Sequence, residues 1–107
     1  MALVTMQFEE DTDWIALNST YPTYYRCKNG ILFIYFHSSP RDVPSDGYTL
    51  GTIPSQYRTA GIVSQITQNK RGVLVYNGGT TGKVTIHNAK DETLDGEMIC
   101  MLSYPLP

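Results

Sequence analysis

At 107 residues and 12.0 kDa the chain is sized for one domain. Charged residues are only 17%, against about a quarter in an average soluble domain, and the formal net charge is -2. That balance excludes a basic nucleic-acid footprint over the whole surface, and an apolar content of 41% excludes a disordered chain. The longest apolar run, residues 31–36, is far short of the ~20 residues of a membrane helix. No basic n-region followed by an apolar h-region opens the chain, so no secretory signal is expected.

The residue mix favours strands. Thr (12), Ile (8) and Val (6) supply the β-branched side chains that fit a pleated, half-buried surface, whereas Ala, the best helix former, occurs only 4 times. Residues 1–12 carry little pattern, with Glu9, Glu10 and Asp11 acidic and Asp13 just beyond. They are expected to be an arm or linker from a preceding segment, or an ordinary frayed terminus, with the folded domain spanning 13–107. Residues 14–17 form a short strand candidate. Residues 22–28 and 31–37 flank Asn29-Gly30, and Asn-Gly between two strand-like runs is the strongest short-range hairpin signal. The second of these strands is apolar at consecutive positions, so both of its faces need cover, and another subunit is expected to supply part of it.

A polar loop with two prolines follows at 38–47. Residues 48–50 and 51–53 then read as one strand or two, stopped by Pro54, and 55–59 as a turn. Residues 61–68 and 73–76 are strands around the polar turn 69–72. Residues 77–82 form a glycine-rich turn. In 83–87 the alternation puts Val84 and Ile86 on one face and Lys83, Thr85 and His87 on the other. After another polar loop, 96–104 is the last strand. About eight short strands at ~8–12-residue spacing predict an all-β fold, an antiparallel β-sandwich of jelly-roll-like form.

Catalytic signals are missing. His37 and His87 sit in no HExxH or HxH pattern, and GxSxG is absent. The stretch 77–82, NGGTTG, lacks the GK[ST] ending of a phosphate loop and leads into a strand instead of a helix. Cys27 and Cys100 lie in strand-like surroundings, without a second Cys or His at metal-ligand spacing. They read as small buried hydrophobes, a disulfide requiring Cα atoms within about 7 Å being the alternative. The expectation is therefore no enzyme, no cofactor and no metal, but a binding or structural module.

Ser, Thr, Asn and Gln total 28, and together with Tyr, Trp, Arg and His they suit a saccharide. A ring packs on the apolar face of a pyranose while planar polar groups bond its hydroxyls. Loops on a rigid scaffold are the usual recognition sites, which singles out His37, Arg41, Asp42 and Asp46 in the first long loop. An exposed, salt-bridged loop is the plainer explanation of the same charges. Trp14 and Tyr57 are candidate stacking platforms, with Tyr21 and Tyr24 beside them, although a single Trp is more commonly a core residue. His87 completes the candidates, from the polar face of its strand.

Residues 47–58, GYTLGTIPSQYR, resemble a recurring G-x-x-L-G-x-[LI]-P-x-x-Y-R element of tailed-phage fibre and baseplate proteins. The hairpin 29–34, the turn 72–79, the strand 82–86 and the closing 102–105 resemble the surroundings of that element. The family is the receptor-binding head domains of siphophage tail or baseplate proteins infecting Gram-positive bacteria. The resemblance implies a β-sandwich head carried on a stem, non-catalytic, homotrimeric and located on the virion. It further implies adhesion to host cell-surface saccharide and contact with other tail or baseplate proteins, without nucleic-acid binding or membrane insertion. Two other functions fit the same residues: a structural tail or baseplate sandwich binding only protein, and a non-phage carbohydrate-binding module.

Overall fold

Asn29 and Gly30 both adopt left-handed backbone, φ 53° and 75°, the geometry that a two-residue hairpin turn needs. In the computed structural model, which describes residues 10–38, 47–68, 70–79, 81–88 and 98–106, this turn joins β2 (Thr23–Lys28) to β3 (Ile31–Ser38). The pairing runs Lys28 to Ile31, Arg26 to Phe33 and Tyr24 to Tyr35. β1 (Ile15–Asn18) lies outside β2, and β8 (Met98–Pro105) lies along the full length of β3. The second sheet holds β4 (Tyr48–Thr52), β5 (Ile62–Ile66), β6 (Gly72–Asn77) and β7 (Lys83–Asn88). Every pairing is antiparallel, with spatial orders β1-β2-β3-β8 and β4-β7-β6-β5. The second order is a Greek key, in which β4 returns beside β7. The chain is an antiparallel β-sandwich of eight short strands, and the turn expected at 55–59 is a single 3-10 turn, Ser55–Tyr57.

Alternation decides what is inside. Leu32, Ile34 and Phe36 of β3 and Met98, Cys100, Leu102 and Tyr104 of β8 face the core, meeting Leu74, Tyr76, Val84 and Ile86 from the other sheet. Both cysteines are buried within this core as thiols, not joined in a disulfide. The rings of Tyr76 and Tyr104 stack at 4.3 Å. Their hydroxyls are satisfied locally: Tyr104 donates to the Tyr57 carbonyl at 2.8 Å, and Tyr76 donates to the Thr59 carbonyl while accepting from its N–H. Buried hydroxyls left without such partners are costly, so these bonds hold the segment after the 3-10 turn against the core.

Both sides of the sandwich are tied shut. Asn18 donates from Nδ2 to the Leu50 carbonyl at 3.1 Å, linking β1 to β4. On the other side the Gln68 N–H donates to the Ile99 carbonyl at 3.1 Å. β4 carries a register shift between Thr49 and Gly51, and the missing side chain of Gly51 admits Leu17 of β1. The chain before β1 is already engaged. Thr12 exchanges bonds with Cys27 through its N–H and its hydroxyl, and Asp11 accepts from the Asn29 N–H. These contacts fix where Trp14 emerges.

Candidate functional site

The face of the first sheet that points away from the core is aromatic. The same alternation that buries Leu32, Ile34 and Phe36 turns Ile31, Phe33, Tyr35 and His37 outward. Their cross-strand neighbours are Tyr24, Arg26 and Lys28 on β2 and Ile99, Met101 and Ser103 on β8. Trp14 stands one residue before the paired Ile15 and Tyr25, in phase with Arg26. Its ring is 43% exposed, and the Arg26 guanidinium lies over it at 5.5 Å. The indole also reaches across β2 to Tyr35, 6.1 Å between centroids, and Tyr35 in turn meets the His37 ring edge-on at 6.1 Å.

Trp14 divides this face into two shallow clefts. One, about 260 Å³, is lined by Trp14, Tyr24 and Tyr35. The other, about 210 Å³, is lined by Trp14, Arg26, Lys28, Phe33 and Met101. Both are smaller than the enclosed pockets that take drug-sized ligands, roughly 300–1,000 Å³. Neither lining includes a Ser, Cys, His, Asp or Glu side chain. Arg26 supplies an unusual feature: its Nε is buried and has no hydrogen-bond partner. A buried charged donor without an acceptor is among the more expensive groups to leave unpaired.

The sequence candidates separate into groups. Trp14, Tyr24 and His37 share this outer face, joined through Tyr35. Tyr57 packs half-buried against the core at the 3-10 turn, near Tyr25, and its carbonyl is occupied by Tyr104. Tyr21 packs edge-on against Tyr48 at 4.9 Å. His87 belongs to the outer side of the other sheet. It is half-buried there, with its Nε2 2.8 Å from the Thr85 hydroxyl and its ring where a Gly47 side chain would stand. Arg41, Asp42 and Asp46 lie outside the described residues.

Sequence reasoning passed over Arg26, Lys28, Phe33, Tyr35 and Met101. For the β2–β3 positions a signal existed: a two-residue Asn-Gly turn dictates register, so Tyr24 must oppose Tyr35 and Arg26 must oppose Phe33. Elsewhere the titratable groups are set for packing. Burial pushes the Cys100 thiol up to about 11, so almost none of it is the nucleophilic thiolate at neutral pH. Burial, then the hydrogen bond with Tyr76, raises Tyr104; burial and neighbouring Tyr57 raise Tyr25. Among the described residues no group of three His, Cys, Asp or Glu side chains is placed to hold a metal ion. No family model matches the chain, and no curated protein or solved structure matches it.

Proposed function

We propose that this chain is a non-catalytic recognition domain that binds saccharide on the outer face of its first sheet, with Trp14 as the platform. The observation that carries this reading is the outward-facing trio of Trp14, Tyr24 and Tyr35, the first two exposed and the third half-buried, around one open cleft. The apolar face of a pyranose packs on such rings, and the tyrosine hydroxyls and the Arg26 and Lys28 heads are within the same surface to bond its hydroxyls. The cleft is shallow, so each copy binds weakly. Homotrimeric assembly then supplies strength through avidity, because linked sites raise effective concentration. Ile99, exposed on the β8 edge strand of the same face and outside both cleft linings, is part of the surface offered to neighbouring copies. In this reading the chain is the host-adhesion head of a phage tail or baseplate protein, consistent with the resemblance of residues 47–58 to that family.

A second reading uses the same face differently. Aromatic residues, Met and Arg are also the make-up of a protein-interface core, and exposed Ile31, Ile99 and Met101 favour a structural sandwich that binds only protein. A glycan array with whole-cell adhesion, run beside light scattering, separates the readings. A trimeric mass with strain-specific adhesion and discrete glycan hits is the outcome for the adhesin. A trimer that ignores every glycan and every cell supports the structural sandwich. A monomer that binds glycans supports a carbohydrate-binding module outside the phage setting.

A further inference from the structure

We infer that β5 is a pairing edge whose occupant is β5 of a second copy of this chain, joined antiparallel across a twofold axis at Ser64. The inference goes beyond the saccharide reading and uses none of the residues around Trp14. β5 is the outer strand of the second sheet, and its register with β6 runs unbroken from Ile62–Asn77 to Ile66–Val73. At its two ends the Gly78 N–H donates to the Gly61 carbonyl and the Thr67 N–H to the Gly72 carbonyl, both at 2.8 Å. Bonded pairs alternate along an antiparallel ladder. Residues 61, 63, 65 and 67 therefore bond to β6, while the N–H and C=O groups of Ile62, Ser64 and Ile66 point away from it. Bonds from the first sheet gather at the far end of this open side. The Gln68 N–H donates to the Ile99 carbonyl at 3.1 Å, and the Cys100 thiol donates to the Gln65 carbonyl at 3.4 Å and more weakly to the Ile66 carbonyl at 3.9 Å. Among the described residues, no such bond reaches Ile62 or Ser64.

Open edges are ordinarily blunted by a bulge, a proline or a charge. β1 and β4 each carry a register shift and are tied to one another through Asn18 and Leu50, and β8 ends on Pro105. β5 has no shift, and residues 59–69 contain neither a charge nor a proline. Ile62 and Ile66 stand 68% and 48% exposed on it. The order I-x-S-x-I selects a second copy, because it reads the same in both directions. Centring on Ser64 sets Ile62 against Ile66 of the second copy, Ser64 against Ser64, and Ile66 against Ile62. All of these residues have outward backbone groups, so each pair in that register is a hydrogen-bonded one. Apolar side chains meet apolar ones, hydroxyl meets hydroxyl, and no like charges oppose the contact. A slip of one residue would set outward groups against inward ones, and a slip of two would set Ile against Ser. The edge is its own complement, which is what a closed twofold requires.

The paired run is short, 5 residues on each strand, so a dissociation constant of roughly 10–500 µM is expected. Sedimentation equilibrium of the full chain from roughly 5 µM to 1 mM should show the mass double, from one copy to two, or from three to six where the threefold contact also forms. Ser64→Pro removes an N–H that only the second copy would use, at an edge position that admits proline, and should raise the dissociation constant at least ~30-fold. Ile62→Lys combined with Ile66→Lys sets like charges against each other across the twofold and should do the same. Ile62→Lys combined with Ile66→Glu sets opposite charges there and should keep the constant within about tenfold of the parent. Both isoleucines are exposed, so circular dichroism should show the parent fold in every variant. A mass fixed at one or three copies up to about 1 mM overturns the inference. So does a doubling that the two charge patterns affect alike, since only the register about Ser64 tells them apart. Either result leaves the saccharide reading standing.

Discussion

Replacing Gly78 by Ala lowers the midpoint of thermal unfolding by roughly 10 °C or more. A Cβ built at this glycine falls 1.8 Å from the Thr59 carbonyl oxygen and 2.7 Å from both Cε1 and the hydroxyl oxygen of Tyr76. Backbone cannot yield there cheaply. The Gly78 N–H donates to the Gly61 carbonyl at 2.8 Å, and the Tyr76 hydroxyl holds Thr59 at both its N–H and its carbonyl. Overpacking of this kind costs about 1–3 kcal/mol, and each displaced hydrogen bond adds about 1 kcal/mol. The gain from a stiffer unfolded chain, about 0.4–1 kcal/mol, is too small to offset that. Gly79→Ala is the internal control: its Cβ meets only the Asn77 side-chain oxygen, at 3.3 Å, and the midpoint should stay within a few degrees of the parent. Differential scanning calorimetry of the two variants decides the matter, and equal midpoints would refute the packing described for the 59–61 and 76–78 segments.

Trp14→Ala acts on the other link of the chain, from surface to function. Saccharide affinity should fall about 30-fold or more, the scale of a truncated aromatic hot spot. Stability should fall moderately, with the fold retained. The ring is 43% exposed, and what it gives up within the fold is one cation–π contact with Arg26 and one tilted contact with Tyr35, together about 1–2 kcal/mol. Trp14→Phe, which keeps a platform, should retain most of the binding. Calorimetric titration with a glycan that the parent chain binds checks the affinities, and circular dichroism checks the fold. Undiminished binding by Trp14→Ala would move the site off this face.

Strand positions were legible because turn chemistry punctuates this chain. Asn29-Gly30 and the alternation in 83–87 mark β2, β3 and β7 at nearly the residues observed, and Pro54 closes the strand before it. Partnership between distant strands was not legible. β8 lies beside β3 and β4 lies beside β7 because a closed core brings them there, and no local signal encodes either neighbour. The apolar run 31–36 did foretell apolar side chains on both faces of β3: Leu32, Ile34 and Phe36 are buried, Phe33 and Tyr35 are half-buried on the outer side, and Ile31 is exposed there.

The candidate site was legible only in part. Trp14 looked better suited to the core, since a lone tryptophan near the start of a small domain is more commonly a core residue and has no periodicity to place it elsewhere. Its outward position follows from the pairing of Ile15 with Tyr25, which puts residue 14 in phase with Arg26. Arg26 itself reads as an ordinary strand arginine until the indole above it and its orphaned Nε are seen together. The loop charges Arg41, Asp42 and Asp46 drew attention by residue type, while the outward aromatic row, spread over two strands and the residue before a third, has no compact motif to announce it.

Amide and indole chemical-shift mapping during titration with an oligosaccharide selected from the array examines the proposed surface directly. Shifts should concentrate at the Trp14 indole and at Tyr24, Arg26, Phe33, Tyr35 and Met101, leaving the strands of the second sheet unmoved. Shifts confined to residues 62–66, 72–77 and 83–88, with the Trp14 indole unchanged, would contradict recognition by the outer face of the first sheet.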